Sequence, residues 1–407
     1  MPAMDSYWTQ PSRNSDPFAV LAAAPRGMPL ALLCQEGWGK TWLFTRPEAS
    51  LHLPADRVAR ALPEISSFLA ENHERRCVGW FGYDLRDAIE ALPRSIADPS
   101  PLPVAHLAAY GSAEQWPALL LPGPVPAPPR LGPVQSVLPR GAYEEKVAAI
   151  VEHIRTGDIF QANLTQPFVA PFDGDPRRLF VRLCALSPAP FAAYLEDGRG
   201  TAVLSSSPEE FLYREGDFVR TRPIKGTRPR SADPRTDAAL LGELLASEKD
   251  QAELTMIVDL LRNDLGKLAV PGSVRVGPFP EHASFAQVHH LFATVTARLR
   301  SGTSAVDLLR AAFPGGSITG APKLRAMEIL ESLEVRRRGV YTGAIGWIGP
   351  GDKMHLNIAI RTLVCRAGEI TFQVGGGVTA CSNPAQEYEE TLHKARGMLA
   401  ALGAAQS

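Results

Sequence analysis

Short apolar runs separated by turns predict strands over "PLALLCQ", "TWLFT", "FVAPF", "FAAYLED", "TAVLSSS", "VYTGAIGWIG", "LNIAIRTLVCR" and "EITFQVGGGVTA". The run "CVGWFGYDL" (77–85) reads as a strand ending near a loop, and "DFVRTRPIKGT" as a strand entering a glycine-containing turn. Helical spacing of apolar residues covers "ADRVARALPEISSFLA", "AYEEKVAAIVEHIRTG", "LLASEKDQAELTMIVDLLRNDLGKL", "AVDLLRAAF", "LRAMEILESLEV" and "PAQEYEETLHKARGMLAAL". Gly157 suits a helix C-terminal cap. Strands interleave with helices unevenly and no repeat is visible, so a mixed α/β fold is expected.

The stretch "PGPVPAPPRLGPV" carries Pro122, Pro124, Pro126, Pro128, Pro129 and Pro133. So many prolines exclude a helix or a central strand and predict a stiff surface connector. It is read as a loop between two lobes of one domain, with an interdomain hinge as the alternative. The expected organisation is an N-terminal lobe at 1–121, a connector at 122–139 and a catalytic domain at 140–407.

Composition narrows the classes. The chain has 407 residues, 45% hydrophobic and 21% charged, an ordinary globular balance. The formal net charge is −1, and no basic stripe stands out, which argues against nucleic acid as a partner. Cys34, Cys77, Cys184, Cys365 and Cys381 are scattered without a CxxC pair, so neither a disulfide framework nor a zinc site is expected. Residues 1–16 are polar, without a signal pattern, and no run is long enough to span a bilayer. A cytoplasmic protein is expected, with no membrane partner.

Several positions carry candidate chemistry. Asp250 and Glu253 share one helix face, and so do Glu387 and Glu390. Opposed, the two faces would form a carboxylate cluster that needs a hard cation such as Mg²⁺. The alternative is two solvated faces, with Lys394 pairing with Glu390 at i+4. Lys225, in "TRPIKGTRPR", lies between Pro223 and Gly226 with Arg222, Arg228 and Arg230 nearby. Positive neighbours and burial favour a neutral, nucleophilic amine; the alternative is a surface lysine in a basic turn. The loop "FPGGSITGAPK" (313–323) and the turn "VGGGVTA" (374–380) could offer backbone N–H groups to an anion, or be plain turns. Arg361 sits in an apolar strand and needs an anionic partner, either a structural carboxylate or a substrate. His289 and His290 are core or site histidines. Glu209, in "SSSPEEF", is a surface acid or a proton donor with a raised pKa.

Taken in order, "GDIFQANLTQPF", "SSSPEEFL", "PIKGT", "DLLRNDLGKL", "HHLFATV", "AAFPGGSITGAPKLRAMEILE", "YTGAIGW", "IAIRT", "GGGV" and "EYEETLHKA" resemble the chorismate-utilising enzymes. That family includes anthranilate, isochorismate, salicylate and aminodeoxychorismate synthases. The likeness covers 143–402, and more weakly the first 120 residues, where "WFGYDL" is the best piece.

The resemblance implies two facing, roughly orthogonal antiparallel β-sheets flanked by helices, with the substrate between them. It implies Mg²⁺ held by Glu253 and Glu390, with Asp250 and Glu387 close by. It implies Glu209 as general acid, His290 lining the site, and chorismate contacts at Gly226, Thr227, Tyr341, Arg361, Gly375, Gly376 and Gly377. Lys225 in "PIKGT" resembles the aminodeoxychorismate synthase branch, in which this lysine attacks the ring; anthranilate synthases carry Ala there. Water-adding members carry a lysine where this chain has Gln161. The expected reaction is amination of chorismate to 4-amino-4-deoxychorismate, for 4-aminobenzoate and folate or for antibiotic assembly. Ammonia is expected from a separate glutamine amidotransferase subunit, since no cysteine here sits in a glutaminase-like turn and no fused lyase is visible. The rivals are an anthranilate synthase large subunit and a non-catalytic regulatory homologue.

Overall fold

The computed structural model describes residues 16–34, 36–96, 102–117, 124–285 and 288–404. Nearly all of the polar start (1–16), together with Pro122, lies outside the described residues. Two large antiparallel sheets form the centre. The first runs Gly320–Ala321, Gln161–Asp173, Glu369–Val378, Thr362–Arg366, Thr201–Ser207, Phe191–Asp197, Pro29–Cys34, Thr41–Phe44 and Glu114–Trp116. The second runs Arg275–Val276, Val295–Arg298, Phe218–Arg222, Glu210–Glu215, Met354–Ile358, Ala344–Ile348, Arg76–Phe81, Ala105–Tyr110 and Ala49–Leu53. A small third sheet joins Ile224–Pro229, Val288–Phe292 and Glu281–Ser284. Strands from the first 121 residues thus enter both large sheets.

The layers follow from the apolar faces. Leu33, Trp80, Ala193, Val203 and Ile345 pack in the space between the two sheets. Helices Pro176–Leu186 and Pro384–Leu402 cover the outer face of the first sheet through Phe180, Leu183 and Met398. Helices Ala61–Glu71, Glu248–Gly266 and Ala305–Ala312 cover the second through Ile65, Ile257 and Leu308. Helices Arg140–Arg155 and Lys323–Leu333 pack with Ala162 and Leu164 of the long strand through Val147 and Leu330. Burying an apolar face on each side of each sheet is what a layered fold requires. The expected architecture, facing antiparallel sheets flanked by helices, is the one found.

Several elements depart from the expectations. The long helix expected over 244–268 is divided between two helices, Pro234–Ala246 and Glu248–Gly266. Ser247 leaves helical geometry (ψ 100°) and caps the second by accepting from the Asp250 N–H. Periodicity alone passes over such a break; the serine is its local signal. "LNIAIRTLVCR" is two strands, Met354–Ile358 in the second sheet and Thr362–Arg366 in the first. Arg361 lies at the crossing, not within a strand, with φ +50°. "VGGGV" is not a turn: Gly375, Gly376 and Gly377 sit within the strand Glu369–Val378, opposite Thr165, Leu164 and Asn163. "FVAPF" (168–172) is the C-terminal end of a longer strand, Gln161–Asp173. Lys225 is inside its own strand, Ile224–Pro229, rather than at the end of the preceding one. Part of the proline-rich stretch also pairs, Arg130–Leu131 and Gln135–Ser136 adding edge strands to Gln161–Asp173.

Candidate active site

The small sheet presents Lys225. Its register shifts between Ile224 and Thr227, and Gly226 takes φ +79° there. A Cβ on Gly226 would meet Asp250 Cγ at 2.9 Å as well as a strained backbone, so glycine lets the strand press against the acidic helix. The Lys225 ammonium is 13% exposed and stands 3.8 Å from Glu253 Oε2. Burial pushes its pKa down, while Glu253 pulls it back up.

Glu209 precedes the strand Glu210–Glu215 and is buried. Ser317 Oγ donates to its Oε1 at 2.5 Å. Burial raises the Glu209 carboxyl to about 7, against the opposing pull of the Ser317 hydrogen bond and Lys225. It can therefore hold a proton near neutral pH in the neighbourhood of the amine. Glu210, the next residue, burial notwithstanding, is held at about 2 by Arg220 and His355. Two adjacent glutamates thus have opposite protonation tendencies.

Gly376 lies against the second acidic face, its missing Cβ 2.9 Å from Glu387 Oε2 and 3.7 Å from Glu390 Oε1. The first face is close enough for charge to act between the two. Burial raises the Glu253 carboxyl, and the charges of Asp250 and Glu390 add to the rise. Lysines and an arginine partly neutralise the group. Lys394 bonds Glu390 at 2.7 Å, the i+4 pair of the solvated-face reading. Arg228 approaches Asp250 at 3.4 Å and Lys249 approaches Glu253 at 3.9 Å. Glu387 accepts from Ser382 at 2.6 Å through Oε1, but its Oε2 is buried without a partner among the described residues. Among the described residues no three His, Cys, Asp or Glu side chains form a ready-made metal cage. An orphaned carboxylate oxygen and loosely paired hard donors nevertheless fit Mg²⁺, which takes few protein ligands and completes its shell from water and substrate.

The remaining candidates line the same region. His290 is buried; Thr227 Oγ1 lies 2.8 Å from its Nδ1, and its Nε2 has no partner among the described residues. Burial and the nearby Arg361 charge lower its pKa to about 3, so the ring is neutral. His289, by contrast, contacts Ser284 and Asp237 and is structural. The Arg361 guanidinium makes no hydrogen bond or ion pair among the described residues, and burial lowers its pKa. Of the two readings of Arg361, a structural carboxylate is therefore excluded among the described residues. The Tyr341 hydroxyl lies 3.2 Å from where a Gly375 Cβ would stand. Gln161 Nε2 and Asn163 Oδ1 crowd the Cβ position of Gly377 at 2.3 and 3.0 Å.

The loop 313–323 acts differently from expectation. Lys323, in the first turn of its helix, bonds Asp264 at 2.6 Å and the Ala312 carbonyl at 3.1 Å. Ser317 contributes a side-chain hydroxyl to Glu209, and Asn163 Nδ2 holds the Ser317 carbonyl at 2.7 Å. Ser317 and Asn163 were not singled out in the sequence; a hydroxyl among glycines, and an amide alternating with Gln161 along a strand, were the available signals.

Facing sheets and a shared cradle of acids, lysine and unpartnered arginine define a class, and the sequence comparisons agree with it. The chain belongs to the chorismate binding enzyme family, which matches residues 31–400. The match starts well before residue 143, so most of the N-terminal segment is part of the family's fold. Aminodeoxychorismate synthase component 1 of Salmonella typhimurium is 43% identical over 79% of this chain and 75% of its own length. Anthranilate synthase component 1 of Streptomyces coelicolor is 46% identical over 66% of this chain and 53% of its own. The chain thus spans three quarters of one relative and about half of the other. The crystal structure of anthranilate synthase component I from Streptococcus pneumoniae superposes with a TM-score of 0.74 at 26% identity, covering 91% of this chain and 89% of that one.

Proposed function

We propose that this chain aminates chorismate at C4 to give 4-amino-4-deoxychorismate, with Lys225 as a covalent nucleophile. The observation that carries the reading is the buried Lys225 amine, its pKa lowered, in the field of a carboxyl raised to about 7. Likeness to the Salmonella synthase supports the product assignment. The likeness to an anthranilate synthase keeps that product as the second reading.

Chorismate is a dicarboxylate with a hydroxyl leaving group. Arg361, lacking an anion, and the strand at Gly375, Gly376 and Gly377 suit one carboxylate. Glu253 and Glu390, with Asp250 and Glu387 beside them, would hold Mg²⁺, which when bound neutralises the other carboxylate. Lys225 attacks C2 with its lone pair, the C1=C2 and C5=C6 double bonds shift to C1=C6 and C4=C5, and the C4–O bond breaks. Glu209 gives its proton to the departing oxygen, which leaves as water, and regains one from the new secondary amine. Ammonia then attacks C4, both double bonds shift back, and the C2–N bond breaks as Glu209 returns its proton to the lysine nitrogen, so that Lys225 leaves as the amine; the new ammonium at C4 reprotonates Glu209. Two displacements replace one difficult step. Gly226, Thr227, Tyr341 and His290 shape the walls around the ring.

The name component 1 borne by the Salmonella relative accords with a partner subunit. We assign ammonia supply to a glutamine amidotransferase, with free ammonium as a substitute. No helix among the described residues is long and apolar enough to cross a membrane, in keeping with a cytoplasmic setting. The test is intact-protein mass after chorismate and Mg²⁺ without ammonia. A chorismate-derived adduct mapped to Lys225 is expected; its absence under conditions where added ammonium gives product overturns the covalent role. Product analysis with ammonium separates the two synthases, since anthranilate forms without a lyase.

A further inference from the structure

We propose that Arg338 is the positioning residue of this site, clamping the segments that carry Ser317, Asn163 and Tyr341 into one arrangement. The side chain is 1% exposed. Every N–H of its guanidinium is engaged. Nε donates to Glu334 Oε2 at 3.0 Å. Nη1 donates to the Ile318 carbonyl at 2.9 Å and to Thr342 Oγ1 at 3.3 Å. Nη2 donates to the Asn163 carbonyl at 2.7 Å and to Glu334 Oε1 at 2.7 Å. The plane lies over the Tyr83 ring at 4.4 Å. Its own carbonyl accepts from the Tyr341 N–H at 3.1 Å.

These contacts are specific to this arginine. Among the described residues the side chains of Arg336 and Arg337, its neighbours, bond to carboxylates only. Arg338 uses one carboxylate as a counter-ion and spends its other donors on the loop at Ile318, the strand at Asn163 and the turn at Thr342. Ile318 follows Ser317, the donor to Glu209. Asn163 ties back to the same loop through the Ser317 and Thr319 carbonyls, at 2.7 and 2.8 Å. It also stands opposite Gly377. The short helix Gly316–Ile318 is thus gripped from two sides, and the grip fixes where the Ser317 hydroxyl points. A planar fork holds five donors in fixed, spread directions; a lysine carries three on a single nitrogen and leaves part of this set unmet.

The inference rests on the assignment of Glu209 as proton donor. Glu209 is faced by the Ser317 hydroxyl, the Lys225 ammonium and the Ile224 N–H, all of which favour its charged form. Loosening Ser317 therefore leaves Glu209 protonated to higher pH.

The experiment compares wild type, Arg338→Lys and Arg338→Ala as full chains, with chorismate, Mg²⁺ and ammonium, alongside thermal melting. For Arg338→Lys, kcat falls about 10²-fold, the scale of a 1 Å misplacement, while KM for chorismate moves far less. The alkaline limb of its kcat profile moves to higher pH. Added guanidinium at low concentration restores part of the rate of Arg338→Ala without raising its melting temperature. A variant with wild-type kcat and an unmoved limb overturns the proposal. So does a loss of kcat that tracks the loss of melting temperature, with no rescue. Glu209→Gln reads the underlying assignment separately. If it keeps the wild-type rate and limb, the proton donor is wrong, while the kcat-against-KM split and the rescue still decide Arg338.

Discussion

Where the turn Tyr83–Ala88 meets the helix Lys323–Leu333, three arginines face three carboxylates. Arg86 bonds Glu331 and lies 3.4 Å from Asp87; Arg337 reaches Asp84 at 3.2 Å and Asp87 at 3.3 Å; Arg94 bonds Asp87 at 2.8 Å. The Ser95 N–H adds to the set, donating to Glu331 at 2.9 Å. Arg86 Nε and Asp87 Oδ1 meet only as an ion pair, without a hydrogen bond, but every charge here has a counter-charge within 3.4 Å. Around Lys225 the fold also buries charge, but leaves it short of partners. Among the described residues the nearest acid to the amine is 3.8 Å away, Arg361 has no anion, and Glu387 Oε2, His290 Nε2 and Gln161 Oε1 have no hydrogen bond. A buried polar group without a partner costs free energy, so a fold tolerates several together where a ligand completes them. The first region is a bolt between distant segments; the second is a receptor for charge that arrives with the substrate.

Mutation separates the two regions, because activity and stability should respond in opposite ways. Lys225→Met removes the nucleophile and a desolvated, loosely paired cation. Turnover to aminodeoxychorismate is expected to fall on the order of 10⁴-fold or more, with melting temperature unchanged or raised. A variant that keeps its rate ends the covalent role; one that loses several degrees shows the site to be as saturated as the bolt.

Glu209→Gln keeps the shape and removes the exchangeable proton. Turnover should drop roughly 10²- to 10⁴-fold. In wild type the donor must be protonated, so its contribution is present below about pH 7 and is lost as pH rises through that value. That alkaline limb should disappear from the kcat profile of the variant, and its persistence assigns the limb to another group.

Glu331→Ala strikes the bolt instead. Breaking a buried, multiply paired charge costs about 3–5 kcal/mol, read by urea unfolding. The folded fraction should keep its kcat and KM within a small factor. A large change in KM would mean that the two regions are not independent.

Arg361→Met should have the smallest effect of the four. A hydrogen bond to a charged group contributes about 1.5–3 kcal/mol, so kcat/KM for chorismate should fall roughly 10- to 150-fold, chiefly through KM. Stability should hold or rise, since no internal partner is lost. Destabilisation together with an unchanged KM would make Arg361 a structural residue.

Much of this was legible in the chain. The apolar runs marked Pro29–Cys34, Phe191–Asp197 and Thr201–Ser207, and the helical spacing marked Pro384–Leu402 with Glu387 and Glu390 on one face. Breaks inside a continuous pattern were not legible. Ser247 interrupts a helix whose periodicity runs on through it, and Arg361 bends an apolar run that serves two sheets, because both halves need the same apolar residues. The histidine strand Val288–Phe292 escaped notice because its partner, which carries Lys225, is polar and kinked. Arg338 escaped because three arginines in a row look alike until burial separates them.

The sequence alone determined the family, the mixed fold, and which residue types could meet chorismate, because apolar spacing and motif order are local properties of the chain. Only the tertiary structure decided which charges are matched and which are left waiting. Ser317 reaches Glu209 across 108 positions and Arg338 reaches Asn163 across 175. The proton affinity of a carboxyl depends on the water it has lost and the charges folded against it, and no local stretch of sequence holds either quantity.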